Sequence, residues 1–256
     1  MDLDGPCATV TLDNPVRRNA QTPATWARLA EIGQQLPASV RVVLLRANGP
    51  SFSAGLDRSV RTGKTADHDG AGGGDAAPET TLATLRQMAA ADLDKALAQF
   101  QSAFTWWQRP GLLSIAAVGG HAVGAGFQLA LACHLRVVAE DALFAMRETT
   151  LGLVPDLTGT QRLVAAVGEA TALELCLTGR WLTAAEAVTR GLAVRAVPRE
   201  ELDDAAADLA TAILSSPADA VSETIDLLMS ARYRAPHQQW QAEREAQQRL
   251  LGKDPA

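Results

Sequence analysis

Residues 112–133 read LLSIAAVGGHAVGAGFQLALAC, and this stretch decides the fold. Its apolar run from Ile115 to Cys133 is about long enough to cross a bilayer, which needs roughly 20 residues. His121 and Gln128 lie inside the run, however, and Gly119, Gly120, Gly124 and Gly126 break it into short pieces. Unpartnered polar groups in lipid cost several kcal/mol, so the stretch reads instead as part of a soluble core. It divides into a buried strand at Leu112–Val118, a glycine turn and a buried helix at Gly124–Ala132. Leu135–Val138 follows as another strand, so strand, turn, helix and strand succeed one another as in an α/β core.

Upstream, Ala8–Leu12 alternates as a strand does and ends in the turn-forming Asp13-Asn14-Pro15. A helix starts after Thr22 with Pro23 at its first position. Arg41–Leu45 is a short β-branched strand, closed by the turn Asn48-Gly49-Pro50. Residues 58–80 carry the glycine-rich run around Gly70–Gly74 and predict a mobile loop. Leu82 to Gln108 has apolar residues at helical spacing. Beyond Thr158 the pattern is almost wholly helical, apart from a short strand near Ala193–Val197. The expected division is an α/β core over residues 1–195 and a helical segment over 196–256.

Net charge is −6 with no basic block, which argues against capture of a nucleic acid backbone. Cys7, Cys133 and Cys176 are far apart and belong to no Cys/His cluster, so neither a disulfide framework nor a zinc site is expected. The N-terminal Asp2 and Asp4 do not resemble the start of a secretory signal, and a cytoplasmic location is the expectation. Gly124-Ala125-Gly126 opens like a dinucleotide fingerprint, but Leu129 stands where its third glycine belongs. No Gly-Lys-Ser/Thr follows, and Ser51–Gly55 lacks the spacing of a nucleophile elbow. What remains is two glycine turns, each at the end of a strand-like segment, with acidic residues after the second. Such turns let two backbone N–H groups converge on one oxygen, and they equally serve tight packing.

Four stretches in order resemble the crotonase (enoyl-CoA hydratase/isomerase) superfamily: Asn14–Ala20, Ser51–Asp57, Gly120–Gln128, and Glu148 through Gly152–Pro155 to Gly159–Leu163. The resemblance implies a spiral of ββα repeats with a C-terminal helical segment, and a homotrimer or a dimer of trimers. It implies an acyl-CoA thioester as substrate, coenzyme A being part of the substrate and no separate cofactor being needed. Leu56 and Ala125 match the backbone N–H donors of the family's oxyanion hole, and Arg18, Ala20 and Ala54 lie in its CoA-binding segments. Arg17 is a further candidate for a phosphate contact. Ala125 stands where glycine is usual.

Hydratases of the family carry glutamates at the positions of Gln128 and Glu148. Gln128 can orient a water but cannot take its proton, whereas Glu148 alone can shuttle a proton between carbons. Asp156 matches the aspartate of the dienoyl-CoA isomerases, yet it also reads as a cap for the helix from Thr158. Glu148 in place of a tryptophan argues against the family's dehalogenases. The catalytic candidates are therefore Glu148, Asp156 and Gln128, with double-bond isomerisation favoured over the hydration of a β-oxidation enzyme. A non-catalytic acyl-CoA-binding protein is the rival of another class. Trp106 and Trp107 read as core, or as a wall of the acyl pocket.

Overall fold

A computed structural model describes residues 1–63 and 80–252. The strands are β1 (Asp2–Asp4), β2 (Cys7–Leu12), β3 (Val42–Ala47), β4 (Leu113–Val118), β5 (His121–Val123), β6 (Leu135–Ala139), β7 (Leu143–Ala145), β8 (Leu182–Thr183) and β9 (Arg195–Val197). The helices are α1 (Pro23–Gln35), α2 (Arg58–Thr62), α3 (Leu82–Gln87), α4 (Ala90–Thr105), α5 (Ala125–Ala132), α6 (Gly159–Val167), α7 (Glu169–Thr178), α8 (Ala184–Thr189), α9 (Leu202–Leu214), α10 (Ala218–Ser230) and α11 (Pro236–Leu250).

Six strands form one sheet in the order β1-β2-β3-β4-β6-β9, parallel except for the terminal β1, and β5-β7-β8 form a second, smaller sheet. In the large sheet β4 is buried at every position, as a strand covered on both faces must be. One face packs on the main core, where Val43, Leu45, Ala116 and Val138 meet the helices. The other face, with Val42, Ile115 and Val137, is closed by Leu202, Ala206 and Ala210 of α9. The C-terminal helical segment thus completes a core begun by the sheet. Among the described residues no helix is long and apolar enough to cross a membrane.

Helix α1 starts where the sequence predicts: Thr22 and Thr25 form a reciprocal capping box, with Pro23 at the first position. Its buried face, Trp26, Leu29, Ile32 and Gly33, recurs at helical spacing and lies against α4. Two expectations need correction. The segment Leu82–Gln108 is not one helix, because Met88 and Ala89 adopt extended backbone and separate α3 from α4. That break lets α4 bury Phe100, Ala103 and Phe104 in the core while Leu85 of α3 turns toward the cavity described below. The stretch 58–80 begins with α2 rather than with a loop, since Asp57 caps the Ser59 N–H at 2.8 Å. Its glycine-rich run lies outside the described residues. Strands β1 and β8, three and two residues long, escape a period-two reading for want of length.

Candidate active site

The first glycine turn is fixed by a buried polar network. Gln21 and Leu56 form a parallel bridge in which Gln21 N–H donates to the Gly55 carbonyl and Asp57 N–H to the Gln21 carbonyl. Backbone alternation then turns the Leu56 N–H away from Gln21. Beside it, the Ser53 hydroxyl donates to the Asn19 carbonyl at 2.7 Å and accepts from Gly55 N–H and from Gln21 Nε2. Gln21 Oε1 in turn accepts from Trp26 Nε1 at 2.8 Å. Ser53 also bridges Ala122 of β5, which ties the first turn to the second.

The second turn is Gly124, at φ +50°, between β5 and α5. A Cβ there would meet the Glu148 carboxylate at 3.2 Å, in a backbone conformation that L-residues rarely adopt. Ala125 opens α5, so its N–H has no intrahelical acceptor. Among the described residues neither Leu56 N–H nor Ala125 N–H is engaged in a hydrogen bond. The two turns touch: a Cβ on Gly55, at φ +83°, would stand 2.4 Å from the Val123 carbonyl oxygen and 3.6 Å from the Ala125 nitrogen. Gly55→Ala is therefore expected to destabilise the fold by about 1–3 kcal/mol or more and to depress turnover, because alanine would be forced into the left-handed region and against the Val123 carbonyl. Chemical denaturation beside an activity assay checks both effects.

Glu148 begins a 3₁₀ turn (Glu148–Leu151) three residues beyond the end of β7 and is buried. Its Oε1 accepts from Gln128 Nε2 at 2.6 Å, and its Oε2 is buried without a hydrogen-bond partner. Burial pushes the Glu148 carboxyl above its ordinary value, the Asp156 charge adds to the rise, and the hydrogen bonds it accepts pull the other way. Burial likewise raises Asp156.

Gln128 is the clip between them. Its Oε1 accepts from Leu157 N–H at 2.9 Å and from Gly159 N–H at 3.3 Å, so the amide is occupied at both ends. Two sequence readings change accordingly. Gln128 does line the site, but it orients Glu148 and the 157–159 loop, and its carbonyl has no free place for a water. Asp156 does not cap α6: Thr158 occupies the cap position without any side-chain cap bond, and Gln128 supplies the acceptor that the loop needs.

These groups face one cavity of about 500 Å³, walled by Trp26, Leu82, Leu85, Leu97, Phe100 and Leu157. Leu56, Ala125, Gln128, Glu148, Asp156 and Ala54 all line it. Arg18 and Ala20 do not. The Arg18 carbonyl instead accepts from Ala54 N–H at 2.8 Å, and Arg17 pairs with Asp57 at 3.3 Å. Trp106 and Trp107 stack on each other at 3.9 Å outside the cavity, in keeping with a packing role. Sequence reading missed Asn19, Gln21 and Ser53, because a buried polar network has no periodic signal.

A mostly apolar cavity with two unengaged N–H groups and two raised carboxyls in its lining suits proton transfer next to a polarised carbonyl. The profile of the enoyl-CoA hydratase/isomerase family matches residues 80–255. The chain belongs to that family and is one of its enzymes. As an enoyl-CoA hydratase/isomerase it shares 35% identity over 217 residues with the carnitinyl-CoA dehydratase of Salmonella enteritidis PT4, covering 83% of this chain and 73% of the relative. A candidate enoyl-CoA hydratase from Thermobifida fusca YX, solved in complex with acetoacetyl-CoA, superposes with a TM-score of 0.88 at 44% identity. That match covers 98% of this chain and 93% of the other. An enoyl-CoA hydratase from Bacillus anthracis gives 0.80 at 27% identity, over 99% and 90% of the two chains. The α/β spiral with C-terminal helices is thus the crotonase fold.

Proposed function

We propose that this enzyme isomerises the double bond of an enoyl-CoA, with Glu148 carrying the proton. The observation that carries this reading is Gln128: clamped between Glu148 and the 157–159 loop, it leaves Glu148 Oε2 as the free oxygen and offers no second base at its own position. The complexes of the Thermobifida fusca protein with CoA and acetoacetyl-CoA support the substrate class. In the reaction, Leu56 and Ala125 N–H donate to the thioester oxygen. Glu148 takes a proton from carbon 2 of a 3-enoyl thioester, the electron pair moves onto that oxygen, and the proton returns at carbon 4 to leave the 2-enoyl isomer. Preorganised donors in a water-poor site stabilise such an enolate by several kcal/mol. Ala54 lines the cavity mouth toward pantetheine, and the exposed Arg18, on the strap that holds Ala54, meets a CoA phosphate, with Ala20 beside it.

A second reading, hydration and its reverse, is favoured by the carnitinyl-CoA dehydratase relatives, with Asp156 as the second carboxylate. Turnover in D₂O and in H₂¹⁸O separates the two. Isomerisation is expected to move the double bond with no solvent ¹⁸O in the product and with less than one deuterium per turnover, since Glu148 returns the proton it took, whereas ¹⁸O entering at carbon 3 at the same rate would replace the first reading by the second. Gln128→Glu is expected to add hydration of a 2-enoyl-CoA and to move the acid limb of the pH profile upward. The new oxygen would face Glu148 across the present 2.6 Å contact, and two carboxyls so close must share a proton. An intact variant with no gain in hydration would remove position 128 from the distinction.

We infer likewise a cytoplasmic homotrimer or dimer of trimers. The exposed Leu173 and Leu177 of α7 are apolar surface that a subunit contact would cover. Light scattering of the purified protein tests the assembly, and a monomer would overturn it.

A further inference from the structure

A second cavity of about 320 Å³ lies between the end of α5, the start of β6, α6 and the end of α10, and it shares no lining residue with the acyl chamber. Its wall holds His134, Arg136, Arg162 and Arg232, and no carboxylate. None of the three guanidiniums has an ion-pair partner among the described residues. Arg136 is buried and donates to the carbonyls of Leu192, Ala130, Cys133 and His134. Burial lowers its pKa to about 10, which leaves it charged at neutral pH. Arg162 donates once, to the Phe104 carbonyl at 2.9 Å. Arg232 is exposed and stands over the Tyr233 ring at 4.9 Å.

His134 lines the same wall as a neutral ring. Ser114 N–H donates to its Nδ1 at 3.2 Å, so Nδ1 is an acceptor and the proton of the neutral ring sits on Nε2. Burial holds the ring near pKa 4, hence neutral in the cell's range. Yet Nε2 is buried with no partner, and an unmade bond of this kind costs about 1–3 kcal/mol.

Positive charge without an ion-pair partner gathers at one concave volume, in a protein whose net charge is −6. We propose that this cavity binds a small phosphate-type oxyanion, inorganic phosphate or a phosphomonoester, apart from the acyl-CoA site. Arg162 and Arg232 are its donors, since a guanidinium fork matches a phosphate edge with two parallel bonds. Arg136, tied to four carbonyls, is the fixed charge beneath it.

Calorimetric titration of the intact enzyme with inorganic phosphate, against chloride at equal ionic strength, is expected to show saturable binding. A parallel titration with glycerol phosphate distinguishes the two sources by which binds tighter. Arg232→Gln, a change at an exposed side chain, is expected to weaken binding roughly tenfold while turnover on the best acyl-CoA stays unchanged. Failure to saturate at millimolar phosphate, or equal affinity in both Arg232→Gln and Arg162→Gln, would overturn the proposal. Loss of phosphate binding under saturating acyl-CoA would also overturn it, by assigning the anion to the CoA phosphates. A crystal structure with a neighbouring copy's carboxylate seated in the cavity would do the same.

Discussion

Replacing Glu148 by glutamine is expected to lower turnover by about 10³-fold while acyl-CoA affinity stays within a few-fold. The carboxylate faces the acyl carbons, and the walls that hold the rest of the ligand are untouched. Glutamine keeps the volume of the side chain, and its carbonyl can still accept from Gln128 Nε2. A variant that turned over at near wild-type rate would remove Glu148 from the chemistry. The same substitution has a stability signature with a definite sign. Burial raises the Glu148 pKa in the folded state, so the folded protein binds a proton more readily than the unfolded one. Stability is then lost as pH rises from the unfolded carboxyl value through the folded one. Glu148→Gln is therefore expected to melt higher than the parent at neutral pH, with the difference narrowing as the medium is made acid. A melting difference independent of pH would show that the carboxylate carries no such strain.

Where Asp156 serves as the second carboxylate of hydration, Asp156→Asn is expected to slow that reaction by roughly 10²-fold, the scale of losing one acid–base group, and to raise the melting temperature at neutral pH, because burial raises Asp156 as it does Glu148. The structure removes the capping role that the sequence left open. Gln128 Oε1, not Asp156, accepts from the loop leading into α6, so asparagine at 156 removes no capping bond. Because the Asp156 charge adds to the upward shift of Glu148, its removal is expected to move the acid limb of the pH profile to lower pH. The main cause of that shift, burial, stays in place, so the displacement is partial. An unchanged rate and pH profile on every accepted substrate would remove Asp156 from the chemistry.

The central strand, the glycine turn and the buried helix were legible in residues 112–133, because an uninterrupted apolar strand, four glycines and a helix buried all round leave few other arrangements. Capping chemistry placed the start of α1 for a local reason, as Thr22, Pro23 and Thr25 act within one turn. The break at Met88–Ala89 carried no such mark. Neither residue is a helix breaker, and the chain bends there because α4 is held against α1 while α3 covers the cavity. Arg18 and Ala20 were assigned to the CoA segments by position along the chain. The fold sets both outside the cavity lining and uses the Arg18 carbonyl to anchor Ala54.

The sequence by itself determined which groups were available: two small-residue turns, Glu148, Asp156, and an amide instead of a carboxylate at 128. Only the tertiary structure decided what each of them does. Gln21, Ser53 and Trp26 come from different segments, and their hydrogen bonds set the direction of the Leu56 N–H. Gln128 meets Glu148 twenty residues on and the 157–159 loop about thirty on, which closes its carbonyl to water. The Glu148 pKa rises because packing around β7 and α5 removes water from a carboxylate that is ordinary in the open chain. Composition and spacing fix the inventory of donors and charges, but direction and dielectric are properties of neighbours brought together by folding.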